Sequence, residues 1–526
     1  MKSAWLQIVL IAALFFALSV VSCGGGDDDT GGDDDASDDD TGAPDADVDP
    51  PAPPAWPDPS LREVFDLNVG ETAAASFDGG VAAEITLMEV TAQSDAVRGA
   101  VRASTVRLAV DGEPVNLDCG NYHLPVDAGA VRVDCPVTRD VYANTNEDRW
   151  GLEKDARLRV WPGHGSLTGG APLTYPLAGQ RWLANRTQSG NEPTDDYLPF
   201  LRSIYYHSGF DLGGVDGVDP VVAAARGRVV LANGEVLPGY EETPARLQDW
   251  LFQTRTDVVY VEDERGWFYR YSHLDRSAPS LALGDVVAAG DLLGYLGNNG
   301  ESGGWAHLHF EIIARQPSGL WGVEESYAYL WEGYVKEREP AVIAVARPHR
   351  FGVAGDTIVL DGSKSVALDG EIVSYRWLFT DGDGADGVRV ERTYNEPGFF
   401  TEMLEVTDEA GRKAYDAATV QIVHATNPHP FYTYMHAAHS PSADVAAGDE
   451  VLFSVRVFGI GGGEDVWDFG DGSPPEITQA GNWPIGGDYA TITHRYDAPG
   501  DYLVRVDRVN DRGEPCVARL WVPVRE

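Results

Sequence analysis

Positive charge is what this chain has least of. Its 526 residues hold 39 lysines and arginines against 83 aspartates and glutamates, a formal net charge of −44. Such an acidic surface repels polyphosphates and anionic headgroups, which argues against nucleic acid or an anionic membrane surface as partner. Cysteine is also scarce, four in all. Cys119 and Cys135 lie in the two segments that follow one hairpin and are expected to form a disulfide in an oxidising compartment. Cys516 has no obvious partner and reads as a buried thiol. The H-E-x-x-H motif is absent, which excludes a metal site of the kind borne on an H-E-x-x-H helix. At this length several domains are expected.

The start of the chain is an export signal in composition. A charged n-region, Met1 to Ser3, precedes an apolar run from Ala4 to Val21. That run is nearly long enough to span a bilayer. It ends in Val20-Val21-Ser22-Cys23, which resembles a bacterial lipobox, so residues 1–23 read as a lipoprotein signal with Cys23 the lipidated residue. Residues 24–59 follow as an Asp-, Gly- and Pro-rich tether that cannot fold. A tether directly behind a cysteine suits a lipid-anchored exported protein, and the glycine after Cys23 suits sorting to the outer membrane by analogy.

Residues 60–176 read as a small β domain. Ala83 to Leu87 alternates in polarity, and Asp111-Gly112 joins Val106–Val110 to Val115–Leu117 with a type I′ hairpin signal. His123 and His164 have no ligand-like neighbours and read as surface or structural. The domain's role is open between a latency cap, a spacer and a binding module.

The chemistry concentrates in residues 177–335. Four short strand signals, Val221–Ala224, Arg228–Leu231, Val258–Val261 and Trp267–Arg270, describe an antiparallel sheet. The stretch Trp305-Ala306-His307-Leu308-His309-Phe310-Glu311 reads as a further strand. Side chains alternate along a strand, so His307 and His309 share a face while Leu308 and Phe310 take the other. Upstream lies His207-Ser208-Gly209-Phe210-Asp211, an H-x-x-x-D pair among glycines, and between them Tyr271-Ser272-His273-Leu274. His207, Asp211 and one histidine of the H-x-H pair make a nitrogen/oxygen set of three that zinc accepts, with a fourth position left for water. All four histidines of this domain fall in these motifs, and the chain's other eight are scattered elsewhere.

The three motifs, in this order, resemble those of the M23 (lysostaphin-like) zinc metallopeptidases, as does the glycine-punctuated run from Gly284 to Gly297. The resemblance implies that His207, Asp211 and His309 bind one Zn²⁺, that His307 is the general base, and that His273 donates a hydrogen bond to the developing oxyanion. Tyr271, spaced i, i+2 from His273, is expected on His273's face. Glu311 shares the face of His309; it is either a partner that orients an imidazole or a surface carboxylate. A departure from the family pattern is an insertion, 241–252, in which Thr243 as N-cap and Pro244 start a short helix with Leu247, Trp250 and Leu251 on one face. It reads as a patch on the sheet edge or, more sharply, as a wall of a substrate cleft.

Residues 340–425 and 426–526 form an internal repeat. Trp377-Leu378-Phe379-Thr380-Asp381-Gly382 and Trp467-Asp468-Phe469-Gly470-Asp471-Gly472 each run a strand into a turn, and a Y-x-x-P-G element follows in both. The pair resembles tandem PKD domains, β-sandwiches. The second copy matches the W-D-F-G-D-G hallmark in full. The tryptophans read as core and the Asp-Gly pairs as turns, with calcium at Asp381 and Asp383 the less favoured reading.

The fold class is therefore mainly β and multidomain. The function implied is a zinc metalloendopeptidase acting on peptides of peptidoglycan, lipid-anchored at the cell envelope, with a protein or carbohydrate partner for the PKD-like pair left open. Two other readings stand beside it: a catalytically silent relative that regulates wall hydrolases, and an adhesion protein in which the PKD-like pair does the work.

Overall fold

A computed structural model describes residues 62–526 apart from 121, 143–148, 170–172, 186–192, 195–204, 242–251, 427–432, 460 and 484–485. The signal segment, Cys23, the tether and the expected helix from Thr243 to Leu251 lie outside the described residues. Strands make up 52% of the described residues and helix 4%. Among the described residues no helix is long and apolar enough to cross a membrane.

The first domain packs two four-stranded antiparallel sheets face to face. One runs in the order Glu63–Leu67, Ala156–Pro162, Val131–Thr138, Val126–Ala128; the other is a meander of Thr72–Ser76, Ala82–Ser94, Val101–Val110 and Glu113–Asp118. Alternation decides which residues meet: Ile85, Leu87, Val106, Leu108, Val133 and Leu158 turn inward to a common core. Asp111 (φ 51°) and Gly112 (φ 86°) are both left-handed, as a type I′ turn requires. Cys119 and Cys135 depart from expectation: both are free. The Gly120 N–H donates to Cys135 O at 3.0 Å, and the Cys135 thiol donates to Val137 O at 3.7 Å.

The central sheet has the order Phe210–Gly213, His307–Arg315, Phe268–Ser272, Val259–Glu262, Gly227–Ala232, Glu235–Val236, with Trp321–Glu324 beside the histidine strand. The segment from Val221 does not join it. Pro220–Val222 pairs instead with Leu292–Leu296 in a separate three-stranded sheet. The glycine turn captures it: Ala223 N–H donates to Asp291 O and accepts at its own carbonyl from Gly290 N–H. The aromatic stretch after the sheet becomes a helix, Tyr327–Arg338, whose Tyr327, Leu330 and Trp331 pack with Trp182 and Phe210.

The two C-terminal domains are β-sandwiches. Trp377 and Trp467 are fully buried, each at the centre of its own core. The aspartates serve their turns: Asp381 accepts from Asp383 N–H and pairs with Arg392, and Asp471 accepts from Ser473 N–H and meets His494. Cys516 is buried.

A buried ion cluster ties the first domain to the central one. Arg159 meets Asp134 at 2.6 Å, Glu324 at 2.8 Å and Glu325 at 3.3 Å, and Arg62 meets Glu324 at 2.6 Å. Two guanidiniums face three carboxylates, so one carboxylate is held neutral. Burial pushes Glu325 up to about 7 against the pull of Arg159. Burial also opposes ionisation of Glu324, but Arg62 and Arg159 hold it down at about 2. A carboxyl raised in the folded state contributes stability that is fully present below its unfolded value of 4.5 and is lost as pH rises through about 7. We expect unfolding free energy to fall by about 3 kcal/mol between pH 4.5 and 8 from this group. Glu325→Gln, neutral at every pH, should flatten that slope in urea titrations; an unchanged slope would assign it to other groups.

Candidate metal centre

Register builds the site. Asp211 stands opposite His309 across the antiparallel pair, with Phe210 opposite Phe310 and Gly213 opposite His307. Cross-strand partners share a face, so Asp211, His309 and His307 project together while Phe210, Leu308 and Phe310 enter the core beneath. Ser272 flanks His309 on its other side. His207 precedes the first strand and folds back over it through Gly209.

Three donor atoms converge. His207 Nε2 lies 3.0 Å from His309 Nδ1 and 3.2 Å from Asp211 Oδ1, and His309 Nδ1 lies 2.9 Å from Asp211 Oδ1. All three residues are buried. Bonds of about 2.0–2.2 Å in a tetrahedron place ligand atoms roughly 3.3–3.6 Å apart, so the triangle fits a zinc-sized ion after a slight opening. Burial would raise the Asp211 carboxyl, yet the His207 and His307 imidazoles hold it well below the carboxylate range. It is therefore deprotonated, as coordination of a metal would require.

The other two histidines border the triangle. His307 Nε2 is 3.6 Å from Asp211 Oδ1, and its ring centroid is 4.7 Å from that of His273. Burial, joined for His273 by the neighbouring His307, holds both pKa values below the ordinary histidine range. Each also has its Nδ1 against a backbone carbonyl, His307 on Trp305 O at 3.1 Å and His273 on Asn299 O at 2.9 Å. A carbonyl only accepts, so both ring protons are assigned to Nδ1, and each neutral ring carries its lone pair on Nε2. Asp257 steadies His273 by accepting its backbone N–H at 3.2 Å, and is itself paired with Arg255 at 2.6 Å.

Two expectations change. Tyr271 does not share His273's face: it lies opposite Phe310, packs on that ring at 5.4 Å and receives Ala224 N–H on its hydroxyl at 2.7 Å. His273 is left-handed (φ 68°), so the strand alternation ends at Ser272 and the i, i+2 rule fails there. Glu311 is no surface carboxylate. It is 1% exposed, accepts from Ser208 Oγ at 2.7 Å and Arg270 Nη1 at 3.1 Å, and lies 3.9 Å from His309 Nε2. Burial alone would lower His309, but Asp211 and Glu311 raise it above the ordinary value.

Gly209 is required by space. Its φ is +81°, and a Cβ there would lie 2.8 Å from Phe310 O and 3.0 Å from the His309 ring. Gly209→Ala should cost about 1–3 kcal/mol of stability and displace His207 from the triangle. Denaturation and metal titration check this; a variant with unchanged metal affinity would show that the loop absorbs the methyl elsewhere.

Residues 205–318 match the family model for peptidase family M23. The central segment is an M23 peptidase-family domain. Residues 339–423 and 436–515 match PKD domain models. Collagenase ColA of Clostridium perfringens (strain 13 / Type A) is 30% identical over 80 residues, 15% of this chain and 7% of the collagenase. The chain thus spans only a small part of that curated relative. Among solved structures, the catalytic domain of the prophage-encoded M23 protein EnpA from Enterococcus faecalis is 20% identical, covering 29% of this chain and 92% of that one, with a TM-score of 0.19. The PKD1 domain of Vibrio anguillarum Epp is 27% identical, covering 16% and 96%, with a TM-score of 0.15.

Sequence reasoning missed what holds the M23 site from outside. The second PKD domain grips the segment that leads into His307. Trp305 packs among Tyr434, His436 and Phe458, Ala306 N–H donates to Tyr489 Oη at 2.8 Å, and Arg456 reaches Gly304 O at 3.0 Å. The signal available was Trp305 itself, a large apolar residue beside the H-x-H motif.

Proposed function

We propose that this chain is a zinc metalloendopeptidase that hydrolyses peptide bonds of peptidoglycan, exported and lipid-anchored through Cys23 at the bacterial envelope. The observation that carries the reading is the buried donor triangle of His207, Asp211 and His309 bordered by two histidines whose Nε2 atoms lack a proton. Two imidazole nitrogens and one carboxylate oxygen suit zinc among the common ions. When bound, such an ion lowers the pKa of a coordinated water and polarises a carbonyl. His307, neutral with its lone pair on Nε2, is placed to accept the water's proton and return it to the leaving amine. His273 in its neutral form is an acceptor too. The donor role that the family resemblance implies for it requires the imidazolium, which its burial disfavours. The choice of peptidoglycan rests on the motifs and their order, and the lipid anchor on the lipobox-like Val20 to Cys23.

The test is metal content with the products released from purified peptidoglycan. The expected result is about one zinc per chain and new amino and carboxyl termini in the stem or cross-link peptides, both abolished by chelation. Zinc bound with no peptide product would favour the silent, regulatory reading. A chain that holds no metal and releases no product would end the peptidase reading and leave a binding module.

A further inference from the structure

The described residues include six buried arginines: Arg157, Arg159, Arg181, Arg270, Arg347 and Arg508. Five have a carboxylate, at 2.7 Å from Asp66, 2.6 Å from Asp134, 3.1 Å from Glu311, 3.4 Å from Asp416 and 3.0 Å from Asp465 respectively. Arg181 has none among the described residues. Its Nη2 donates to Ala184 O at 2.9 Å and Trp521 O at 3.4 Å, and Nη1 reaches only Trp182 O at 3.4 Å. Its Nε–H has no acceptor among the described residues. A buried cation without a counter-ion is costly, and a chain that solves this problem five times elsewhere leaves it open here.

The place where it is left open is a cavity. A cleft of about 260 Å³ lies where the central domain, the Tyr327–Arg338 helix and both PKD domains meet, and Arg181 lines it. Its walls are flat and aromatic: Trp182, Tyr334, Tyr415 and Trp521, with the Arg181 guanidinium 4.6 Å over the Trp521 ring. Two further arginines line it, and each is paired: Arg338 with Asp444, which also lines the cleft, and Arg525 with Asp501 at 3.1 Å. Arg181 is therefore the lining cation left without a paired carboxylate among the described residues, in a protein that is strongly anionic overall. We infer that this cavity binds a small monocarboxylate bearing a ring or apolar portion. The carboxylate accepts from the Nε–H of Arg181, the donor left without an acceptor among the described residues, and the ring lies among the aromatic walls. A cavity of this size holds a ligand no larger than a small organic acid. Asp444 at the rim disfavours a dianion.

The site is separate from the metal centre. Trp182 packs on Phe210 at 5.8 Å, on the core side of the strand whose next residue, Asp211, faces the other way. The inference therefore stands independently of peptide cleavage. An occupied cavity would join three domains through one ion pair.

The full chain titrated with benzoate, and with benzamide as its neutral isostere, tests this by calorimetry and thermal unfolding. Benzoate is expected to bind saturably and raise the unfolding temperature by several degrees, and benzamide to do neither. Arg181→Met is expected to fold and to bind benzoate at least tenfold more weakly. Equal shifts with benzoate and benzamide, no shift with either, or undiminished affinity in Arg181→Met would each overturn the proposal. If Arg181→Met does not fold, Arg338→Gln at the rim is expected to weaken benzoate several-fold, and unchanged affinity there would overturn it as well.

Discussion

Replacing His309 by alanine is expected to empty the metal site and abolish hydrolysis while the sheet stays folded. His309 is the central member of the triangle, with Nδ1 2.9 Å from Asp211 Oδ1 and 3.0 Å from His207 Nε2. Its strand is hydrogen-bonded on both sides, to Phe210–Gly213 and to Phe268–Ser272, and neither ladder depends on the imidazole. Outer partners of a metal ligand typically contribute about 10–100-fold in affinity, so loss of a ligand itself should exceed about 100-fold. Elemental analysis after dialysis, read beside the peptide products, measures both effects. A His309→Ala protein that keeps a stoichiometric ion would remove His309 from the ligand set.

His307→Ala is expected to separate catalysis from metal binding. His307 stands outside the triangle, 3.6 Å from Asp211 Oδ1, with Nδ1 occupied by Trp305 O and Nε2 turned toward the site. The variant should therefore retain its ion and lose about 10²–10⁴-fold in kcat, the usual contribution of a positioned general base. His273→Ala makes a companion test, since both rings present the same unprotonated atom. If the two act on one proton in sequence, the double variant should be scarcely slower than either single one. Independent roles would make the losses multiply. A His307→Ala enzyme at the wild-type rate would transfer the base role to His273.

The ligands were legible in the chain because they depend on local rules. H-x-H on a strand shares a face by alternation, and Asp211 followed by Leu212 alternates in the same way. Trp377 and Trp467 were readable as core for a like reason, since each ends a strand of one module. Where a local rule was interrupted, the reading failed. Strand alternation puts Tyr271 on the face of His273, and only the left-handed backbone at His273 reverses it. Glu311 could not be read as buried, because its partners Ser208 and Arg270 lie 103 and 41 residues away.

By itself the sequence determined the three-motif order, the zinc-compatible residue types, the β character and the tandem repeat. All follow from steric periodicity and side-chain chemistry within a few residues. Only the tertiary structure decided that Asp211 faces His309 across 98 residues, that Glu325 must share a cluster with too few cations, that the second PKD domain holds Ala306, and that Arg181 is left without a counter-ion. These are properties of burial and long-range pairing. A charge becomes costly, a pKa moves and a lone pair finds its direction only when segments distant in the chain close around them and exclude water.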